Sequence, residues 1–280
     1  MTWRVRVRHR TGYSYAGPVS ASYNEARMTP LSEAGQTTLE SRVEITPSAG
    51  THRYRDYWGT EVTAFDIHAP HTELEVIATS VVETGLRPWT PGGLDWSDLR
   101  GEQVQDRYAE WLTVTGRTDP DGTLAEVAAG VAGGGTPTED AISCLRAVGE
   151  HLEYVPGSTD VGTDAIQAWH ARNGVCQDFA HVSLAMLRSI GLPARYVSGY
   201  LHPRAAAVIG ETVSGESHAW VEWWDGEWVG YDPTNGKPVG EQHVLVARGR
   251  DYNDVTPLKG IYSGSRSAAL GVTVEVTRLA

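Results

Sequence analysis

Asn173-Gly174-Val175-Cys176-Gln177-Asp178-Phe179 is followed by Val182, Met186, Leu187 and Ile190, then by Gly191 and Pro193. The apolar residues recur at helical spacing, and a glycine followed two residues later by a proline is the expected stop. The stretch predicts a helix that begins at Cys176. A cysteine in a first helical turn feels unpaired backbone N–H groups and the positive end of the helix dipole, and both favour thiolate. The same N–H groups can hold an oxyanion. Asp178 is read as stabilising that first turn.

Downstream, Ala194–Tyr200, His218–Trp223 and Glu227–Asp232 read as strands. With Trp224-Asp225-Gly226 as a three-residue turn, Trp223 faces Glu227, and His218 falls opposite Asp232 on the same face. A two-residue turn would send the two side chains to opposite faces. A thiolate needs an imidazole to move its proton and a third group to orient that imidazole. Cys176, His218 and Asp232 supply those three roles. Cys144 sits inside an amphipathic helix and is read as packing.

Upstream, residues 3–83 alternate apolar and polar in short runs: Trp3-Val5-Val7, then Leu39 to Ile45, Glu61 to Ile67, and Leu74 to Ala78. Gly12, Gly17-Pro18, Pro47 and Gly59 read as breaks, so this part is expected to be an antiparallel β-sandwich-like or barrel-like module. Residues 86–96 read as a linker. Pro137-Thr138-Glu139-Asp140 caps an expected helix through Ile142, Leu145, Val148 and Leu152. The alternating segment from Leu270 to Val276 is expected to return to the first module. The resulting division is a β-rich domain over 1–85, a linker and helical lead-in over 86–150, a core over 151–265 and a C-terminal strand over 266–280.

Composition excludes several classes. The 280 residues are 40% apolar and 21% charged, which is globular. Residues 1–85 carry 8 basic against 10 acidic side chains and residues 86–280 carry 15 against 25, so the net charge of −12 resides mostly in the second part. Such a balance speaks against nucleic acid as a partner. No run of about 18 apolar residues offers a membrane span, and the alternating start lacks a secretory signal. The cytoplasm is the expected compartment, with Cys144 and Cys176 as free thiols. The histidines show no ligand spacing for zinc and no EF-hand loop is present, so neither a metal nor a cofactor is expected.

Four ordered blocks carry a resemblance: Gly174–His181, Gly191–Tyr200, His218-Ala219-Trp220-Val221-Glu222, and Tyr231-Asp232-Pro233-Thr234. Together with Gly249–Gly260, Arg8–Tyr13 and Asp56–Gly59, they resemble the bacterial transglutaminase-like family over nearly the whole chain. The resemblance implies an α+β fold: a papain-like transglutaminase core behind the β-rich N-terminal region. It also implies a Cys–His–Asp triad, which maps onto Cys176, His218 and Asp232. For the oxyanion it points to the amide of Cys176 or Gln177, with Trp169 or His170 as the candidate side-chain partner. Trp220 and Tyr200 are candidate cleft residues, and Asp254 a residue ordering a loop beside it.

The expected chemistry is acyl transfer through a thioester on Cys176 with a protein or peptide substrate. Hydrolysis leads, because water is always present. Transfer to a primary amine is the main alternative, and a non-catalytic peptide-binding module is the third reading.

Overall fold

The computed structural model describes residues 2–33, 35–85 and 93–280; of the expected linker, residues 86–92 lie outside the described residues. Five strands come first: β1 (Thr2–Ala26), β2 (Gln36–Thr46), β3 (Thr51–Arg55), β4 (Glu61–Ile67) and β5 (His71–Gly85). Helices α1 (Trp96–Leu99), α2 (Glu102–Arg107), α3 (Ala109–Leu112), α4 (Asp121–Val131) and α5 (Pro137–His151) follow. Next come β6 (Glu153–Tyr154), α6 (Ala165–Ala171), β7 (Asn173–Gly174), α7 (Cys176–Ser189), β8 (Ala194–Leu201), β9 (Thr212–Trp224) and β10 (Trp228–Asp232). The chain closes with β11 (Lys237–Pro238), β12 (His243–Gly249), α8 (Tyr252–Val255), β13 (Leu258–Gly264) and β14 (Ser267–Arg278). Among the described residues, no helix is long and apolar enough to cross a membrane.

All strands except β6 and β7 join one antiparallel sheet. Its spine is β1, which runs unbroken through Gly12 and Gly17-Pro18, where the sequence pattern suggested turns. The ladders shift register at those places instead, between Arg10 and Gly12 against β14 and between Ser14 and Val19 against β5. Gly12 lies so close to the Leu74 carbonyl that a Cβ would collide with it, so the glycine serves a close strand approach rather than a turn. Residues up to Tyr15 pair with β5 and β14, and beyond Val19 the strand pairs with β13 and then with β4. Tyr15, Val19, Met28, Phe65, Ile67, Leu74 and Val76 form the core enclosed by this bend.

Strand β14 pairs on one side with β1 and on the other with β9, so the N-terminal strands and the site-bearing strands are one continuous sheet. The seam also carries a buried ion network. Arg248 bonds Glu222 at 2.9 Å and Glu33 at 2.5 Å, and Arg195 bonds Glu222 at 2.6 Å while lying 3.8 Å from the centre of the Trp228 ring. Burial alone would raise the Glu222 carboxyl, but the two guanidinium groups hold it down at about 2. Helix α5 opens with a reciprocal Thr136–Glu139 capping box, and α7 ends at Ile190 with Gly191 at φ +85°. α7 packs against α4, α5, α6 and the β9 face carrying Ala219, Val221 and Trp223.

Candidate active site

Val175 caps α7, and Cys176 is its first residue. The Asp178 carboxylate folds back to accept the Val175 N–H at 2.7 Å and the Thr159 hydroxyl at 2.6 Å. Burial raises its pKa and these bonds restrain the rise. The first N–H groups of any helix lack an intrahelical acceptor, so the amides of Cys176 and Gln177 are donors at the helix tip. The half-buried thiol lies 3.9 Å from the Ser217 carbonyl on β9.

His218, the next residue along β9, is 6% exposed. Its Nε2 lies 2.8 Å from Asp232 Oδ2, and the Cys176 thiol lies close enough to act on its charge. Burial pulls its pKa down, yet Asp232 and Cys176 outweigh burial and raise it to about 10. Asp232 is fully buried. Its Oδ2 receives His218, the Asn235 side-chain amide at 2.7 Å and His243 Nε2 at 3.1 Å, and its Oδ1 receives the Asn235 N–H at 3.1 Å. Burial would favour the neutral acid, but these donors hold the carboxyl well below its usual range.

The hairpin that joins His218 to Asp232 differs from the expected one by a register step. Trp228 pairs with Trp224 and Val229 with Trp223, so the loop is Asp225-Gly226-Glu227 and His218 is diagonal to Asp232 rather than directly opposite. The loop still has three residues, with Gly226 at φ +83°. Its odd length keeps both side chains on one face, and a diagonal pair lies within reach of long side chains.

The structure thus brings Cys176, His218 and Asp232 together. It places most of the secondary candidates elsewhere. Trp169 stacks flat on His151 at 3.5 Å within the helical core, and His170 is exposed on the last turn of α6. Gln177 is buried, with its side chain 3.4 Å from the Asp160 carbonyl. Tyr200 is 3% exposed and bonds His9 of β1 at 3.0 Å, so it belongs to the seam and not to an open cleft. Trp220 is 1% exposed and packs its ring edge-on to His243 at 5.3 Å, flooring the imidazoles rather than lining the cleft. Asp254 bonds the Arg250 backbone and guanidinium at 2.9 Å, which closes the loop ahead of β13. Cys144 is fully buried, and burial pushes its thiol up to about 12.

Four neighbours escaped the sequence reading. Tyr154 on β6 lies alongside Gly174 of β7, and its hydroxyl bonds Glu216 at 3.2 Å. Partial burial, Glu216 and Cys176 raise its pKa to about 12. Asn235 sits three residues after Asp232, close enough in the chain for its N–H to reach the Asp232 carboxylate. His243 begins β12, whose strand partner is β8, so no local spacing ties it to Asp232. His218, Asp232 and His243 offer donor atoms within 4.8 Å of one another, as a metal ligand set would. Hydrogen bonds already occupy them, however, and the Gly240 N–H donates at 3.2 Å to His243 Nδ1, which requires the hydrogen on Nε2. That ring therefore points a donor, not a lone pair, at the group.

A cysteine at a helix tip beside a histidine and carboxylate on an antiparallel sheet is the arrangement of the papain-like transglutaminase class of α+β proteins. Residues 5–83 match the bacterial transglutaminase-like N-terminal region, and residues 125–233 match the transglutaminase-like superfamily. The chain belongs to the bacterial transglutaminase-like family. It is 49% identical to an uncharacterised Mycobacterium leprae protein, over 99% of this chain and 100% of that one. It is 33% identical to an uncharacterised Mycobacterium tuberculosis protein, over 98% and 93% of the two chains. A Pseudomonas aeruginosa protein-glutamine gamma-glutamyltransferase is 35% identical over 93 residues, 30% of this chain and 14% of that one. The fold is similar to a solved structure from Cytophaga hutchinsonii described as a candidate cysteine protease, with a TM-score of 0.77, 21% identity and coverage of 100% and 92%.

Proposed function

We propose that the chain is a cysteine-dependent acyl-transfer enzyme that hydrolyses a peptide or amide bond through a thioester on Cys176. The observation that carries this reading is the juxtaposition, at the tip of α7, of Cys176 with a His218 whose Nε2 is bonded to Asp232. Cys176 thiolate attacks the amide carbonyl carbon, and the developing oxyanion is held by the Cys176 and Gln177 amides. The C–N bond breaks as His218 gives its proton to the departing amine. Water then gives a proton to His218 and attacks the thioester, releasing the acid and restoring the thiolate–imidazolium pair. Asp232 holds the imidazole tautomer throughout.

Access of water supports hydrolysis as the second half-reaction. The aromatic side chains that would shield a thioester are engaged elsewhere: Tyr200 with His9, Trp220 beneath the imidazoles, and Trp224 and Trp228 in a cluster with Tyr108. The rim beside Cys176 is instead the exposed pair Tyr154 and Glu216. Glu216 also favours a second reading, transfer to a primary amine, because an exposed carboxylate attracts an ammonium group. The partial similarity to a glutamyltransferase points the same way.

The test begins with iodoacetamide alkylation against pH, mapped by peptide, in wild type and His218→Ala. Cys176 should react at lower pH than an ordinary thiol and lose that advantage in the variant. Identical profiles for the two proteins would remove the basis of the proposal. Incubation with a glutamine-containing protein and a fluorescent primary amine then separates the two acceptors. Release of ammonia or peptide without label marks hydrolysis, and labelled protein marks amine transfer.

A further inference from the structure

The site holds two imidazoles on one carboxylate oxygen: the Nε2 atoms of His218 and His243 lie 2.8 and 3.1 Å from the same Asp232 Oδ2. Two rings so placed could exchange roles, either one becoming the imidazolium that faces the carboxylate. Their outer nitrogens break the symmetry. The outer nitrogen of His218 is left for Cys176. The outer nitrogen of His243, Nδ1, accepts the Gly240 N–H at 3.2 Å. A backbone N–H is only a donor, so Nδ1 keeps its lone pair and the ring is neutral with its hydrogen on Nε2.

We propose that His243 is a positioning residue that fixes the Asp232 carboxylate and, by staying neutral, reserves the imidazolium for His218. This rests on the proposed roles of Cys176, His218 and Asp232.

The surroundings of His243 act in the same direction. Protonating it would break the Gly240 bond and place a second cation with its ring centre 6.2 Å from that of His218. The charged and titratable groups facing it are Asp232 from the end of β10, His218 from β9 and Lys237 from β11, with Cys176 behind His218. Burial under the edge of Trp220 opposes a charged His243 most, Asp232 favours it, and His218 and Lys237 oppose it further. The net direction for His243 is downward. A neutral N–H donor on Oδ2 also limits how strongly the carboxylate pulls on His218, leaving the imidazolium able to release its proton to a leaving amine.

Nitrogen-15 NMR of histidine-labelled protein tests this directly. In wild type, His243 should hold a single neutral tautomer with Nε2 protonated from pH about 5 to 9, the range in which an unperturbed histidine would titrate. His243→Leu removes the donor and should raise the titration midpoint of His218 by about half to one pH unit, three- to tenfold in proton affinity. His243→Gln, which can return an N–H to the same oxygen, should restore most of it. Finding His243 charged or protonated on Nδ1 in wild type overturns the inference even if no variant folds. So does a His218 midpoint that is the same in all three proteins. The proposed function fails on a different measurement, a Cys176 alkylation profile indifferent to His218→Ala.

Discussion

Replacing Asp232 by Asn tests the charge that the site is built around. The change keeps the shape and an oxygen able to accept from His218, and removes the negative charge from a fully buried position. His218 stands at about 10 against an ordinary 6.5, a preference for imidazolium of ~5 kcal/mol at one pH unit per 1.36 kcal/mol. Asp232 and Cys176 supply that pull against burial, so the Asn variant should bring His218 down from about 10 toward 6.5. The assay is the pH profile of Cys176 alkylation, with Cys144 as the internal unreactive thiol. The step of the profile at which the imidazolium loses its proton should move to lower pH. Near-ultraviolet circular dichroism of the variant guards against misfolding. A folded Asp232→Asn protein whose profile overlays wild type would refute the claim that this carboxylate sustains the imidazolium.

Tyr154→Phe removes the hydroxyl bordering Cys176 and, as the loss of an oxyanion donor, should lower kcat about 100- to 1,000-fold, read as a larger change in kcat than in KM. Gly12→Ala drives a methyl group into the Leu74 carbonyl and should cost about 1–3 kcal/mol in urea unfolding, with the slope unchanged. Arg248→Met leaves the buried Glu222 with Arg195 in place of two cations and should cost about 3–5 kcal/mol by the same measurement. His9 is buried and held down at about 4 by that burial. A lowered folded-state value means its contribution is intact above about 6.5 and is lost as pH falls through about 4. His9→Gln should therefore flatten the fall of Tm between those two values, and an unchanged slope would show that His9 does not open the seam in acid.

The parts of the fold legible in the sequence were those specified by short-range chemistry. The helix beginning at Cys176 was marked by its apolar spacing and its Gly191–Pro193 stop, and α5 by Pro137-Thr138-Glu139-Asp140 at its start, although the cap itself is Thr136. β1 was misread because the turn chemistry of Gly12 and Gly17-Pro18 is local, whereas their use is set by strands 60 or 250 residues away. The hairpin shows what period-two logic can deliver. It required an odd loop for His218 and Asp232 to share a face, and the loop is odd. It could not fix which three residues form that loop, because Trp224 and Glu227 suit either register. Moving the loop one residue onward turned a direct pair into a diagonal one and left the 2.8 Å bond intact. Parity is thus the robust part of the inference, and it is also what the chemistry needs. His243 marks the opposite limit. It reaches Asp232 across β8 and β9, through a register that only the assembled sheet defines. A deletion of Gly226 separates the two cases. It would leave a two-residue loop and turn Asp232 to the far face of β10, away from both imidazoles. Cys176 should then alkylate like a free thiol, at a midpoint near about 8.5, while α7 and its packing persist in the far-ultraviolet spectrum. An undiminished response of Cys176 to acid pH in that deletion would mean that the hairpin does not set the site.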